Sequence, residues 1–307
     1  MIIHTARSQI KKQYPRPVVA IGVFDGLHRG HQKIIRQTVR RAAQIRGTPM
    51  VITFAPHPVH VLNPKVFCPL IISVEHRLKL IEEMGVKVGW VIPFTRRFAR
   101  GNADEFFHRY LINPLSPSEI VVGDDFHFGR GRQASAAYLQ ALGPKHGIAV
   151  RCLSVGSGPK SVSSSRIRRD IATGNLKHAA SLLGRPFAVL GRVIHGDSRG
   201  RKLGYPTANI HLTQQLLPPS GVYIVKVKLG SRTYPGIANL GHRPSFKKIA
   251  RVNLEVHLFN LRQNLYARRI LVQFLRKIRD EKVFRSQAEL VRQIRLDEKQ
   301  ARRWFHR

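Results

Sequence analysis

Residues 18–47, VVAIGVFDGLHRGHQKIIRQTVRRAAQIRG, decide the fold of the first half of this chain. They open with a short apolar run, Val18–Phe24, which is typical of a buried strand. A turn rich in glycine and histidine follows, and apolar residues then recur at helical spacing over His31–Arg46, until Gly47 ends the pattern. A strand, a turn and a helix in this order predict the first half of a βαβ unit.

Strand-like runs and helical stretches keep alternating through the first half of the chain. The later strand-like runs are Met50–Phe54, Gly89–Phe94, Glu119–Gly123 and Ile148–Val155. A helical stretch, His76–Met84, lies between two of them. This alternation predicts right-handed βαβ units, and hence an α/β fold with an open, doubly wound parallel sheet. Such sheets bind ligands at the carboxyl ends of their strands, so chemistry is expected there.

Beyond residues 183–186 the pattern changes to short strand runs separated by glycine, proline and asparagine. These runs are Ala188–Ile194, Gly221–Val227, Tyr234–Ala238, Asn253–Phe259 and Ile270–Leu275. They predict a small antiparallel β-barrel. A C-terminal helix is predicted from Ser286, because Ser286 and Glu289 form a capping box ahead of an apolar face. We therefore expect two domains, 1–184 and 185–307.

The chain is strongly basic, with 53 Lys and Arg against 17 Asp and Glu and a formal net charge of +36. Such an excess commonly indicates a nucleic-acid or membrane-surface partner. The charge is spread, however: residues 1–184 hold 27 basic and 10 acidic residues, and the remainder holds 26 and 7. The apolar runs are too short for a spanning helix or a signal peptide, so we expect a cytoplasmic protein. Two cysteines without CxxC spacing exclude a disulfide scaffold and a cysteine-rich zinc site.

Polar clusters follow several strands of the first half. They are GVFDGLHRGH (22–31), FAPHP (54–58), VGDDFHFGRGR (122–132) and SVSSSRIRR (161–169). His28 and His31 lie where the helix begins, so that imidazoles, free backbone N–H groups and the positive end of the helix dipole together favour a phosphate group. Asp25 and Gly26 suit a tight turn between strand and helix. The hydroxyls and arginines of 161–169 suit a polyphosphate.

Other interpretations of these clusters stay open. The two histidines are alternatively solvent-facing residues without a role, or ligands of a metal, although a third ligand is not close in sequence. His57 is alternatively a rigid loop residue between prolines, and 161–169 a solvated loop. Two glycine-rich matches are set aside, because GRGRQA (129–134) does not open a βαβ unit and GSGPKS (156–161) lacks Walker A spacing.

The four clusters, in this order, resemble the adenylyltransferase domain of the bacterial bifunctional riboflavin kinase/FMN adenylyltransferase family, also called FAD synthetase. The second half resembles the riboflavin kinase domain of the same family. The segments that carry this second resemblance are GRVIHGDSRGRKLGYPTANI (191–210), PPSGVYIVKV (218–227), GIANLGHRPSF (236–246), NLEVHLF (253–259) and VQFLRKIRDEKVF (272–284). The resemblance implies two reactions: riboflavin and ATP give FMN, and FMN and ATP give FAD and pyrophosphate.

For adenylyl transfer, the resemblance implies that His28 and His31 stabilise the α-phosphoryl transition state. Asp125 and Phe126 are implied to lie near the flavin or the nucleotide. The residues implied to bind ATP or its phosphates are Gly22, Phe24, Asp25, Gly30, His57, Ser164, Ser165 and Arg168. Because the nucleophile is already a phosphate dianion, this reaction requires charge neutralisation rather than a strong base.

For the kinase reaction, the nucleophile is the primary alcohol of the ribityl chain, which must lose a proton. The family pattern implies Glu255 as the base, and Thr207 and Asn209 as oxygen ligands of Mg²⁺. Gly191, His195 and Gly204 are implied to shape the ATP-side loop. Without the family pattern, Glu255 would be the wet face of a strand and Pro-Thr-Ala-Asn a turn.

The chain departs from the family pattern at several positions. Ala55 stands where the family commonly has an acidic residue, and Asn260, Asn264 and Ala267 replace its Asp and Gly in 259–270. Loss of one of the two activities is therefore an alternative. A nucleic-acid-binding protein on an inherited enzyme scaffold is another, but the sequence lacks an aromatic-basic stacking motif or a basic arm. We expect small-molecule partners without nucleic acid or membrane, and leave the oligomeric state open.

Overall fold

The computed structural model describes residues 1–5, 10, 13–155, 162–196, 204–212, 216–243, 251–261 and 263–306. Parts of the quoted motifs, residues 156–161, 197–203 and 244–250 among them, lie outside this description. Contacts divide the chain into two compact units. The first unit comprises Met1–Leu70 and Val74–Ser164, and the second comprises Ile71–Ser73 and Ser165–Arg307.

Eight strands belong to the first unit as the structure describes it. They are β1 (Ile2–His4), β2 (Val18–Ile21), β3 (Pro49–Ala55), β4 (Val88–Pro93), β5 (Glu119–Gly123), β6 (His127–Phe128), β7 (Ala134–Ser135) and β8 (Ala149–Leu153). Six of them form a parallel sheet in the order β1-β4-β3-β2-β5-β8, and β6 pairs with β7. Strands β2 and β5 are buried along their whole length, as strands covered on both faces must be.

The helices of this part are α1 (Arg29–Gln44), α2 (Pro58–Leu62), α3 (Val74–Glu83), α4 (Arg96–Ala99), α5 (Ala103–Phe106), α6 (Asn113–Leu115) and α7 (Ala136–Leu142). Short 3₁₀ turns span Asp25–Leu27, Arg130–Arg132 and Gly143–His146, and a π-helix spans Phe107–Ile112. In the sheet order, the chain runs outward from β2 to β3 and β4 on one side, whereas β5 and β8 lie on the other. The carboxyl ends of β2 and β5 therefore form the topological switch point, where ligands of such sheets bind.

The opposite end of the sheet is held by a buried carboxylate. Glu119, the first residue of β5, is 2% exposed and accepts hydrogen bonds from Arg41 Nε, at 2.9 Å, and from Arg151 Nε. Arg41 lies in the last turn of α1, and Arg151 lies on the neighbouring strand β8. This ion cluster is therefore structural and lies away from the carboxyl ends of the strands.

The second unit is built around a closed antiparallel barrel. Its strands are β9 (Phe187–Ile194), β10 (Ala208–His211), β11 (Gly221–Leu229), β12 (Arg232–Arg243), β13 (Arg251–Leu258) and β14 (Arg269–Arg279), arranged β10-β13-β12-β11-β14-β9. Helix α8 (Ser164–Ala172) begins at the division between the units, and α9 (Leu176–Leu183) packs on β9 and β14. Helix α10 (Gln287–Phe305) follows the barrel.

Helix α10 is capped and attached as its sequence requires. The Ser286 hydroxyl accepts the Glu289 N–H at 3.2 Å, which confirms the predicted capping interaction. Asp297, 3% exposed, accepts hydrogen bonds from Arg279 Nε and one of its terminal nitrogens on β14. Ala301 is fully buried in an apolar cluster with barrel residues. A charged and an apolar contact thus hold the helix on the barrel.

The predicted fold class, a parallel α/β sheet followed by an antiparallel barrel with a C-terminal helix, is confirmed. The predicted strand runs all coincide with strands of the structure, and α1 begins two residues earlier than predicted. Strands β1, β6, β7 and β10 were not predicted. In the described part of the chain, no helix is long and apolar enough to cross a membrane.

Candidate active sites

The loop after β2 carries the first site. Phe24 adopts φ 53° and Gly26 φ 77°, so the chain reverses through the 3₁₀ turn Asp25–Leu27 before entering α1. A side chain at Gly22 would meet the Phe24 ring, because a Cβ there would lie 2.9 Å from two ring carbons. Glycine at position 22 therefore lets Phe24 fold back over the strand end.

His28 and His31 meet at the N-terminus of α1. His28 is the N-cap residue, and its Nδ1 accepts the His31 N–H at 3.4 Å. This bond assigns the proton of a neutral His28 ring to Nε2. The two rings stack with centroids 3.6 Å apart, and Phe24 meets His31 edge-on. A Cβ at Gly30 would lie 3.3 Å from the His28 ring, so glycine leaves room for the pair.

The environment of His31 disfavours a positive charge. Burial lowers its pKa well below the ordinary value of 6.5, and His28 and then Arg77 lower it further by repulsion. Its Nδ1 is buried and has no hydrogen-bond partner among the described residues. His31 is therefore neutral near pH 7 and offers one ring N–H donor.

This lowered pKa predicts how the stability of the first unit depends on pH. The unfolded chain takes up a proton on His31 near pH 6.5, whereas the folded chain does so only at lower pH. The free energy of unfolding should therefore fall as the pH is lowered from 6.5 towards the folded pKa, by up to about 1.4 kcal/mol per pH unit. Urea unfolding at pH 7.0 and 5.5 measures this.

The two tryptophans allow the units to be followed separately. Trp90 is buried on β4 and Trp304 lies on α10, so Trp304→Phe leaves a fluorescence signal from the first unit alone. In this background, His31→Asn should reduce the slope of the free energy of unfolding against pH, by an amount that corresponds to at most one proton. The weaker effect of His4, whose pKa burial also lowers, stays the same in both proteins. An unchanged slope in His31→Asn would contradict the assignment.

Arg77, which no sequence motif singled out, also reaches this loop. It lies on α3, is 2% exposed, and donates hydrogen bonds to the carbonyls of Val23 and Phe54, the latter at 3.1 Å. Burial lowers its pKa to about 10, while Asp25 acts to raise it. Arg77 therefore remains charged near pH 7, inside the unit and beside the histidine pair.

The other candidates of the first unit occupy neighbouring loops. Ser164 donates its hydroxyl to the Asp25 carbonyl at 3.0 Å. His57 is the N-cap residue of α2, and its Nδ1 accepts the Val59 N–H at 3.2 Å. Asp125 is exposed after β5, and Phe126 stacks on Phe128 with centroids 5.4 Å apart. The described contacts thus bring together the 22–31 loop and Ser164.

Ser165 and Arg168, the remaining candidates for the triphosphate, belong to the second unit. Both lie in α8: Ser165 is exposed and Arg168 is half-buried. Ser165 lies in the first turn of this helix, and Arg168 lies near its middle.

The barrel carries a second site around Glu255 on β13. In register it lies between Asn209 on β10 and Asn239 on β12. Its carboxylate accepts hydrogen bonds from Asn253 Nδ2 at 2.7 Å and from Thr207 Oγ1 at 3.5 Å. Glu255 is therefore a half-buried group in a polar cluster, not a solvated strand residue.

The oxygen atoms of this cluster fit Mg²⁺. Thr207 provides a hydroxyl, Asn209 an amide carbonyl and Glu255 a carboxylate, which are the hard ligands that Mg²⁺ prefers. Asn209 is only 8% exposed, and a Cβ at Gly196 would collide with its amide group. Because Mg²⁺ usually keeps waters and substrate phosphates as ligands, two or three protein oxygens suffice.

Of the three residues predicted to shape the ATP-side loop, His195 and Gly204 lie outside the strands, whereas Gly191 lies within β9. A Cβ at Gly191 would collide with Ile210 Cγ2, so glycine permits the close approach of β9 and β10. Gly204 adopts φ 82° in open space. His195 stacks on Tyr266 with centroids 3.8 Å apart, a contact that the sequence did not predict.

The departures from the family pattern in 259–270 coincide with unusual backbone. Asn260 has φ 59° and Ala267 has φ 63°, both in the left-handed region. Asn264 stabilises the loop by accepting the Tyr266 N–H at 2.9 Å. Asparagine tolerates the left-handed region, whereas alanine is strained there.

Replacing Ala267 by glycine should stabilise the barrel. Relief of the left-handed strain outweighs the entropy lost by glycine, so we expect the free energy of unfolding to rise by about 1 kcal/mol. Urea unfolding followed by Trp304 fluorescence in a Trp90→Phe background measures this. Ala238→Gly, at a buried strand position, is the matched control and should destabilise. An equal loss in the free energy of unfolding in both variants would show that the backbone at Ala267 is not strained.

The first unit combines a parallel sheet with a histidine pair at a helix N-terminus, and the second is a barrel with a carboxylate among polar oxygens. Together these features define a two-part nucleotide-dependent transferase. Two family models match the chain: FAD synthetase over residues 10–166 and Riboflavin kinase over residues 183–305. The bifunctional riboflavin kinase/FMN adenylyltransferase of Escherichia coli (strain K12) is 40% identical over 94% of this chain and 92% of its own length. That of Bacillus subtilis (strain 168) is 37% identical over 96% and 95%.

A crystal structure described as a macrolide-efflux protein from Streptococcus pneumoniae is also similar. It is 33% identical, the match covers 99% of each chain, and the TM-score is 0.85. The chain belongs to the bifunctional riboflavin kinase/FMN adenylyltransferase family. It is an enzyme with both activities, which confirms the resemblance seen in the sequence. Riboflavin, FMN and ATP are substrates that fit this family.

Proposed function

We propose that FMN adenylylation takes place at the histidine pair in domain 1–184 and riboflavin phosphorylation at Glu255 in domain 185–307. The stacked pair of His28 and His31 at the N-terminus of a 16-residue helix carries the first assignment. The polar oxygens around a half-buried Glu255 support the second. The two domains thus perform consecutive steps, since the product of the kinase is the substrate of the adenylyltransferase.

In adenylyl transfer, a phosphate oxygen of FMN attacks the α-phosphorus of ATP. A new P–O bond forms, the bond to the β-phosphate oxygen breaks, and pyrophosphate leaves. The His28 Nε2–H, the His31 ring and the free N–H groups of α1 neutralise the charge that develops on the α-phosphoryl oxygens. The further binding residues have two roles. Gly22, Phe24, Asp25, Gly30, His57, Ser164, Ser165 and Arg168 hold ATP, and Asp125 and Phe126 contact the flavin.

In the kinase reaction, Glu255 accepts the proton of the ribityl alcohol as its oxygen attacks the γ-phosphorus of ATP. ADP leaves with the electrons of the broken P–O bond. Thr207 and Asn209 hold Mg²⁺, which when bound supplies positive charge to the ATP phosphates. Gly191 on β9, together with His195 and Gly204, shapes the ATP side of this site.

A product assay tests the assignment of both steps. One tube contains the protein with riboflavin, ATP and Mg²⁺, a second starts from FMN, and chromatography separates the flavins. We expect FMN and then FAD in the first tube, FAD in the second, and no FMN from riboflavin once EDTA exceeds Mg²⁺. FMN without FAD would place a defect in the first domain. FAD only from supplied FMN would place it near Glu255 and 259–270.

We also propose that the protein acts in the cytoplasm on small molecules alone. The net charge of +36 then serves to attract anionic ATP and FMN, an effect that salt screens. Titration with a labelled RNA at increasing salt tests this. Tight binding that falls steeply with salt would favour the nucleic-acid alternative.

A further inference from the structure

A buried arginine bridges the ends of the two strands that carry the adenylylation site. The Val23 carbonyl, where the chain leaves β2, accepts hydrogen bonds from Arg77 and from Thr53 Oγ1, the latter at 3.0 Å. The Phe54 carbonyl, near the end of β3, accepts a hydrogen bond from the second terminal nitrogen of Arg77. The loop with His28 and His31 follows the first carbonyl, and His57 follows the second.

Stability alone does not explain this arginine. Its guanidinium is buried, and its Nε–H has no acceptor among the residues that the structure describes. A buried donor without an acceptor is unfavourable, because neither water nor a protein group replaces its lost hydration. Such costs are commonly found where a group serves function.

The charge of Arg77 acts on the site as well as its hydrogen bonds. His28 and Arg77 both oppose a proton on His31, while Asp25 faces Arg77 itself. Phe24, the remaining ring against His31, is uncharged. Burial is the main reason why the pKa of His31 is lowered, and the positive charge of Arg77, which does not titrate near pH 7, adds to it.

We propose that Arg77 is a positioning residue for FMN adenylylation, which ties together the two strand ends that carry the phosphate-binding loops. This inference rests on the proposed role of the histidine pair. It assigns Arg77 two separable contributions, hydrogen bonding and charge. Lysine at this position keeps the charge, and glutamine keeps an N–H donor without the charge.

The experiment compares Arg77→Lys and Arg77→Gln in the full chain, measuring FAD formation from FMN between pH 5.5 and 8.5. We expect kcat to fall at least about tenfold in both, because each loses part of the bidentate bridge. In Arg77→Gln, the acid limb of the profile should move to higher pH, since the repulsion between Arg77 and a His31 proton is lost. In Arg77→Lys it should stay in place. Substrate phosphates titrate in this range too, but they contribute equally to every variant.

Arg41→Gln is the matched control, because Arg41 also holds a buried group of the same unit but lies at the opposite end of the sheet. It should leave the acid limb unmoved, and riboflavin phosphorylation by the barrel should be unchanged in all three variants. An unmoved limb in Arg77→Gln, or a moved limb in Arg77→Lys, would overturn the proposal. If Arg77→Gln does not fold, Arg77→Lys still tests the proposal, through the position of its acid limb and through its kcat for FAD formation. Full FAD formation by His31→Asn would instead overturn the proposed site itself.

Discussion

Glu255→Gln is expected to lower kcat for FMN formation from riboflavin by about 10²- to 10⁴-fold. The amide has the shape of the carboxylate, and its oxygen can still accept the Asn253 Nδ2–H. The Thr207 hydroxyl, which donates to the second carboxylate oxygen, can instead accept from the amide nitrogen, so the local structure should persist. What it lacks is the ability to take the alcohol proton. The rate of FMN formation should therefore also lose its dependence on the ionisation of this group.

Two controls separate this effect from damage to the fold. FAD formation from supplied FMN should stay within about twofold of the wild type, because it is assigned to the other domain. Glu298→Gln removes a carboxylate of the same domain that pairs with Arg302 on α10, and should leave riboflavin turnover unchanged. Riboflavin turnover by Glu255→Gln within about threefold of the wild type would show that another group accepts the proton.

The parts of the fold that could be predicted are those that local sequence determines. The strand, turn and helix of 18–47 were predicted because buried strands of a parallel sheet are continuously apolar and the turn needs its glycines. The cap of α10 was predicted because its two residues, Ser286 and Glu289, are only three positions apart in sequence. Strand β1 was missed, because it has three residues, two of them exposed at the sheet edge, and only its pairing with β4 defines it.

The residues of the candidate sites likewise differ in how far local sequence could predict them. The histidine pair was found because its loop and helix are contiguous in sequence. Arg77 was not, since one arginine among 53 basic residues carries no sign that its guanidinium will be buried. The stacking of His195 on Tyr266 likewise joins two loops that are distant in sequence. Glu255 was recognised only through the family pattern, because its half-buried surroundings come from three strands.

His28→Asn is expected to lower kcat for FAD formation from FMN by about 10²- to 10³-fold. Asparagine is among the best N-cap residues, so its side chain can replace His28 Nδ1 as the acceptor of the His31 N–H. Helix α1 should therefore keep its stability, while the Nε2–H donor is lost. Since this donor acts on charge that develops in the transition state, KM for ATP should change much less than kcat.

The substitution thus separates capping from catalysis, which His28→Ala would combine. Urea unfolding followed by Trp90 fluorescence in the Trp304→Phe background should show the wild-type midpoint, and FMN formation should be unaffected. His146→Asn, at an exposed histidine of the same unit, is the matched control and should retain full FAD formation. If kcat for FAD formation and the urea midpoint both fall in His28→Asn, the role of His28 is structural. Undiminished FAD formation by a folded His28→Asn would remove it from the reaction, because the helix N-terminus and His31 would then suffice to neutralise the α-phosphoryl charge.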